Sequence, residues 1–363
     1  MSNRLPHARA ATAEDGVTDR LADQAALWRR VHRSAEEFNA EHIFVLGDLF
    51  DKSLVDAITL THTISAITEA PCPALIMAGN HDAVNTRGGR FTVEAFGAMN
   101  NPHVRYLQTG RRLKLKPWLG FWPVEYCAQD RAREWLANIH RQLAARDRKK
   151  STEVLLLHQS ILGCEHVGWK CDDGLTPEEV CQSMDWVFSG HFHTTQTFGP
   201  KDRGMYLGAP MHHRFDDEGR PAGYWTVEFH EGGECVRDFV DGGCPRFHNF
   251  EWPTATLVDA KRGDYIRITA TMTSAEWELT RAAVRAMVDK LNADGFRASY
   301  VHKPLYHHAT RIKPSKLAKK GGPLFEDTMD AYLDAPEVDK TGLDVERLRR
   351  LGREAITSMR GRL

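Results

Sequence analysis

Four short apolar runs, each closed by a polar cluster, constrain this chain more than any other feature. They are "HIFVLGDLFD" at 42–51, "PALIMAGNHD" at 73–82, "EVLLLHQS" at 153–160 and "WVFSGHFH" at 186–193. An apolar run without alternation marks a strand buried on both faces, as in a sheet covered by helices. Ligands of such sheets collect beyond the carboxyl ends of the strands, and all four polar clusters sit at that end. The spacing of Leu21, Ala25, Trp28, Val31, Ala35 and Phe38 predicts an amphipathic helix over 18–38. A second helical stretch falls near 53–69, ahead of the stops Pro71 and Pro73. The expected class is α/β.

Residues 204–250 change to short strands and turns, read as a second sheet layer of the same domain. After "WPTAT" a separate unit is expected: strand "YIRITATM", helix 274–293 opened by Thr273 with Glu276 as a capping box, and strand "FRASYVH". The domain boundaries predicted are 1–252, then 253–321 as a capping domain with a basic linker, then 322–363 as a helical segment. Residues 303–320 hold six basic residues and no acidic one, while Leu348, Leu351, Ala355 and Met359 share one face of a final helix.

Composition narrows the function. Apolar residues are 42% of the chain, enough for a sizeable core, and 48 basic against 49 acidic residues give a net charge of −1. That excludes a global pull toward nucleic acid, so any polyanion must be held by a local patch or a metal. No apolar run spans a bilayer and no signal-peptide pattern opens the chain. The 7 cysteines form no C-x-x-C pair. They suit free thiols in a reducing cytoplasm better than a disulfide framework.

The strand ends supply Asp48, Asp51, Asn80, His81, Asp82, His158, His191 and His193. Carboxylate, amide oxygen and imidazole without thiolate suit divalent manganese, iron or zinc. On extended backbone His191 and His193, two residues apart, would point the same way and serve one metal or two neighbours. A carboxylate can bridge two cations, and Asp48, after Gly47 at a sharp strand end, is the natural bridge. Taken singly, each cluster reads as a turn or a core histidine; together, each closing an apolar strand, they read as a metal site.

The order GD, GNHD, H, GHxH resembles the calcineurin-like metallophosphoesterase superfamily. Within it, "GDLFD", "NNPHVRYL", "GFWPVEY", "DGLTPEEV" and "YLGAPMHHRFDDEG" are similar to segments of the SbcD-type nucleases of DNA double-strand-break repair. The likeness runs over roughly residues 15–230. It implies a four-layer α-β-β-α sandwich with a small α+β capping domain and C-terminal helices. It implies a DNA exonuclease, with endonuclease action as an option, using two divalent metal ions, Mn2+ being expected. The implied partners are DNA, an SbcC-type coiled-coil ATPase and a second copy of the chain, without a membrane. Carried over, Asp48 bridges both metals, Asn80, His158 and His191 complete the second, and His193 belongs to the first. His81 is the catalytic histidine, and Asp51 matches a position that orients it in some relatives.

The family's first motif, D-x-H at the end of a first strand, is missing, and the strand expected ahead of helix 18–38 is missing with it. "SNRLPHARA" resembles the loop that follows D-x-H, so the natural frame is expected to extend upstream of Met1. As the sequence stands, the first metal keeps only Asp48 and His193. Two alternatives follow: another metallophosphoesterase (a phosphatase or cyclic-nucleotide phosphodiesterase), or a catalytically impaired scaffold. Asp82 is expected to stabilise a turn, His212 and His213 to be solvated loop residues, and His62, His103 and His166 to be structural.

Overall fold

The structure, a computed structural model, describes residues 1–2, 16–85, 89–145, 151–166, 168–254, 256–305, 333–334 and 344–360. The elements run α1 (Asp19–Glu37), β1 (Ile43–Leu46), α2 (Ala57–Thr68), β2 (Ala74–Met77), α3 (Glu94–Ala98), β3 (Val104–Tyr106), β4 (Leu113–Lys116), β5 (Leu119–Val124) and α4 (Gln129–Ala144). Next come β6 (Thr152–Leu157), β7 (Glu165–His166), β8 (Trp169–Lys170), α5 (Pro177–Cys181), β9 (Trp186–Ser189), β10 (Gln196–Phe198) and β11 (Gly204–Tyr206). They are followed by β12 (Gly223–Phe229), β13 (Cys235–Asp241), β14 (Phe247–Glu251), β15 (Tyr265–Met272), α6 (Ser274–Ala293) and β16 (Arg297–Pro304).

The apolar runs are divided between two sheets. One is parallel, in the order β1-β2-β3; the other is ordered β10-β11-β9-β6-β5-β4, with antiparallel edges at β4 and β10. β6 shows why its sequence does not alternate. Leu155 and Leu157 pack with Leu136 and Ile139 of α4, whereas Val154 and Leu156 join Leu46 and Met77 of the small sheet. The opposite face of the small sheet, through Ala74 and Ile76, packs with Ile67 of α2 and Phe96 of α3. Helix, sheet, sheet and helix therefore form four layers, and both faces of each central strand are dry. Each buried Leu or Ile contributes on the order of 1.5–3 kcal/mol. The one charge on β6, Glu153, is fully buried and is matched by the Arg112 fork at 2.7 and 2.9 Å and by the Trp122 indole N–H at 2.7 Å.

The chain divides into two units that interleave in sequence. The first comprises Met1–Asn249, Thr256–Arg267 and Leu291–Ala298, and the second Phe250–Ala255, Ile268–Lys290 and Ser299–Leu363. The sandwich and all the candidate site residues belong to the first. In the second, Thr273 and Glu276 form the expected capping box: the Glu276 carboxylate accepts from the Thr273 amide at 2.8 Å, and the Glu276 amide donates to Thr273 Oγ1 at 3.3 Å. The ring of His302 stacks on Trp277 at 4.7 Å. A helix at Val345–Arg360 leaves Leu348 and Leu351 exposed.

Of the basic stretch 303–320, only 303–305 fall among the described residues, and of the helical segment expected at 322–363 only 333–334 and 344–360 do. All seven cysteines are free. Among the described residues no helix is long and apolar enough to cross a membrane, and no strand precedes α1.

Candidate metal centre

The two sheets bring the ends of β1, β2, β6 and β9 to one place. Gly47 makes the exit from β1 possible: its φ is 90°, and a Cβ there would fall 2.2 Å from His158 Nδ1. Asp48 follows in the left-handed region, φ 54°, which a short polar side chain tolerates. Its Oδ1 accepts the His81 backbone N–H at 2.8 Å, leaving Oδ2 3.2 Å from His158 Nε2. His158 is fully buried, and its Nδ1 lies 2.7 Å from the Leu46 carbonyl. A carbonyl only accepts, so Nδ1 carries a hydrogen and Nε2 faces inward. Asn80 Oδ1 lies 3.1 Å from that Nε2 and 2.8 Å from His191 Nδ1, while His191 Nε2 meets Ser160 Oγ at 3.1 Å. Asp48, His158 and His191 each bring one donor atom within 4.8 Å of the others.

This arrangement fits a divalent cation. With Nδ1 committed, a neutral His158 turns a lone pair toward two oxygens, from Asp48 and Asn80, and a positive centre between them relieves the repulsion. The protein's own charges answer the same need. Burial disfavours the His158 imidazolium, but the Asp48 carboxylate outweighs it and raises the pKa. Burial likewise pushes the Asp48 carboxyl up, while His158 and His81 hold it well below the usual carboxylate range. His191 is pushed down to about 3 by burial and by His158, so its lone pair is free for a metal at neutral pH.

The remaining sequence-predicted residues separate into roles. His81 is exposed, and its Nδ1 lies 2.7 Å from Asp51. The contact is to the Asp51 carbonyl, so it is the backbone of Asp51 that orients the ring. Asp82 is fully buried and brackets the turn, accepting the Phe50 amide at 3.0 Å and the Gly79 amide at 2.9 Å.

His193 does not join His191. His191 has φ 86°, so the backbone there is not the extended one that the two-residue argument assumes. The two-residue spacing therefore does not by itself bring both imidazoles to one point. His193 instead faces His213, with ring centroids 4.9 Å apart, and Asp217, with Nδ1 and Oδ1 3.9 Å apart. Nor are His212 and His213 solvated loop residues. His212 is buried, accepts the Phe247 amide at 3.4 Å on Nδ1 and donates from Nε2 to the Arg220 carbonyl at 2.9 Å. His213 is half-buried. Asp217, Ser160 and Tyr126 also stand around the centre. Sequence reasoning passed over them because each arrives from a loop with no ligand spacing of its own.

A family model described as calcineurin-like phosphoesterase matches residues 12–195, just over half of the chain. Among solved structures, a dimetal phosphatase from Danio rerio is 11% identical over 60% of this chain and 86% of that one, with a TM-score of 0.40. No curated protein matches.

Proposed function

The chain belongs to the calcineurin-like phosphoesterase family, and on that premise we propose that it is a metal-dependent phosphodiesterase that digests DNA. The observation carrying the reading is the convergence of Asp48, Asn80, His158 and His191, with His81 beside them. Divalent cations held there supply charge that offsets the phosphodiester anion and acidify a water nucleophile. The side chains set up the rest. The Leu46 carbonyl fixes the tautomer of His158, and the His81 amide fixes the rotation of Asp48. His81, with Nδ1 donating to the Asp51 carbonyl, keeps Nε2 available. Protonated at that atom, it donates to the departing sugar oxygen.

The finer parts of the proposal rest on the SbcD-type segments of the sequence. They are exonuclease action with endonuclease action at the same site, Mn2+ as the native ion, and a cytoplasmic role in DNA repair or processing. The proposed partners are a second copy of the chain and an SbcC-type coiled-coil ATPase. Exposed Leu348 and Leu351 of the helix Val345–Arg360 support the ATPase contact.

The test is digestion of linear duplex DNA by the purified chain with and without Mn2+, beside Asp48→Asn. Digestion that needs Mn2+ and disappears in the variant is expected. Equal digestion by both proteins would contradict the proposal. A second reading has one observation behind it: among the described residues, one group of ligating side chains alone converges. This favours a single-metal phosphoesterase of small substrates, or an impaired scaffold. Hydrolysis of bis(p-nitrophenyl) phosphate without DNA digestion would select the first, and neither activity the second.

A further inference from the structure

A cavity of about 790 Å³ opens beside the metal centre and takes no part in the chemistry above. Tyr126 is the shared wall: it lines the cavity, and its ring lies 6.4 Å from that of His191. Its amide donates to the Ala78 carbonyl at 3.3 Å, tying this wall to the end of β2. Across the cavity, Trp135 of α4 lies half-buried over Gly110. Gly110 has φ 73°, and a Cβ there would fall 2.5 Å from the indole, so glycine lets the ring approach the loop closely.

The charges around the cavity do not cancel. Of its five arginines, Arg112 is held by Glu153 at 2.7 Å and Arg90 by Glu94 at 3.2 Å. Arg105, Arg111 and Arg131 are exposed, and their guanidiniums have no acidic partner among the described residues. The two carboxylates in the lining are already engaged. Glu125 accepts from the Tyr106 hydroxyl and from the Thr109 amide and hydroxyl, both at 3.0 Å, and Glu94 accepts from Arg90 and from the Phe91 amide at 2.8 Å. Among the described residues, three arginine forks without an acidic partner and the rings of Phe91, Tyr106, Tyr126 and Trp135 line the cavity, in a chain whose net charge is −1.

Guanidinium forks match phosphate oxygens, and aromatic faces stack on bases. A concavity of about 790 Å³ matches a few nucleotides of one strand. We propose that the cavity binds single-stranded DNA. Arg105, Arg111 and Arg131 hold its phosphates and Trp135 stacks a base, so that the strand is led past Tyr126 toward His81. The proposal rests on the reading of the chain as a DNA-acting phosphodiesterase.

The test is fluorescence anisotropy of a short labelled single strand with the full chain in EDTA, over a range of salt. Replacing Arg105, Arg111 and Arg131 together by alanine should weaken binding at least about tenfold. It should also flatten the salt slope by about 2, since each single-strand contact contributes about 0.7. Trp135→Ala should weaken binding about fivefold or more. The same charge removed elsewhere, from exposed Arg29, Arg33 and Arg203, should change binding less than about twofold.

A cavity variant that binds like wild type, or loses no more than this control, overturns the proposal. If the triple variant does not fold, single Arg→Gln variants replace it, each expected to remove about 0.7 of slope. A wild-type chain that hydrolyses a small diester yet binds no DNA would overturn the nuclease reading and the cavity together. Wild-type binding that is insensitive to the cavity variants overturns the cavity alone.

Discussion

Two groups of histidines and carboxylates lie side by side in the first unit, and they differ in how their spare atoms are held. Around His158, each ligand that offers an atom inward has another contact outward: Nδ1 on the Leu46 carbonyl, Asp48 Oδ1 on the His81 amide, His191 Nε2 on Ser160. Around His193 the outer anchoring is only partly repeated. His193 Nδ1 and Asp217 Oδ1 are buried without hydrogen-bond partners, and the bonds of Asp217 run through Oδ2 to the amides of His213 and Arg214 at 2.7 and 3.1 Å. A preorganised site is one whose outer contacts fix the inner donors. By that standard the first group is anchored at every named ligand, whereas the second is anchored through Asp217 alone.

The contrast can be broken most sharply at Asp48. Asp48→Asn removes several kcal/mol of charge complementarity, so the turnover number of metal-dependent hydrolysis should fall on the order of a thousandfold or more. A smaller loss, about a hundredfold, is expected for His81→Ala, and it should shrink on diesters with a p-nitrophenolate leaving group, which needs no proton. Calorimetric titration with Mn2+ separates the two groups directly. His158→Ala should lose on the order of a hundredfold in affinity and His193→Ala less than about tenfold.

The smallest effect belongs to Asp217→Asn, expected to lower stability by about 1.5–3 kcal/mol near neutral pH without changing the Mn2+ affinity. Burial pushes the Asp217 carboxyl up, but His193 and the His213 and Arg214 amides hold it well below the usual carboxylate range. A depressed folded value stabilises the chain above the unfolded carboxylate pKa of about 4, and that contribution is lost as pH falls through the folded value. The gap in thermal melts between wild type and Asp217→Asn should therefore narrow below about pH 4.

Much of this was legible in the sequence, for identifiable reasons. The run "EVLLLHQS" had to be a doubly covered strand because Val154 and Leu156 face one layer and Leu155 and Leu157 the other. Asp48, Asn80, His158 and His191 were legible because strand ends place side chains in a common mouth. The division of the strands between two sheets was not, since pairing of β1 with β2 and of β6 with β9 is a tertiary choice.

Nor was the positive φ of His191, which cancels the spacing argument for His193. The burial of His212 depends on Arg20, itself fully buried, whose guanidinium donates to the His212 carbonyl at 2.7 Å from 192 residues away. No local pattern announces that contact. That the Asp51 position orients His81 came from the resemblance, but which of its oxygens does so was not legible, and the one that arrives belongs to the backbone.

The central claim is that Asp48, Asn80, His158 and His191 hold a divalent ion. Anomalous diffraction from crystals of the chain grown with Mn2+ tests it most directly. The expected result is a strong manganese peak in contact with His158 Nε2, Asp48 and His191. A peak confined to His193 and Asp217, with none at His158, would contradict it.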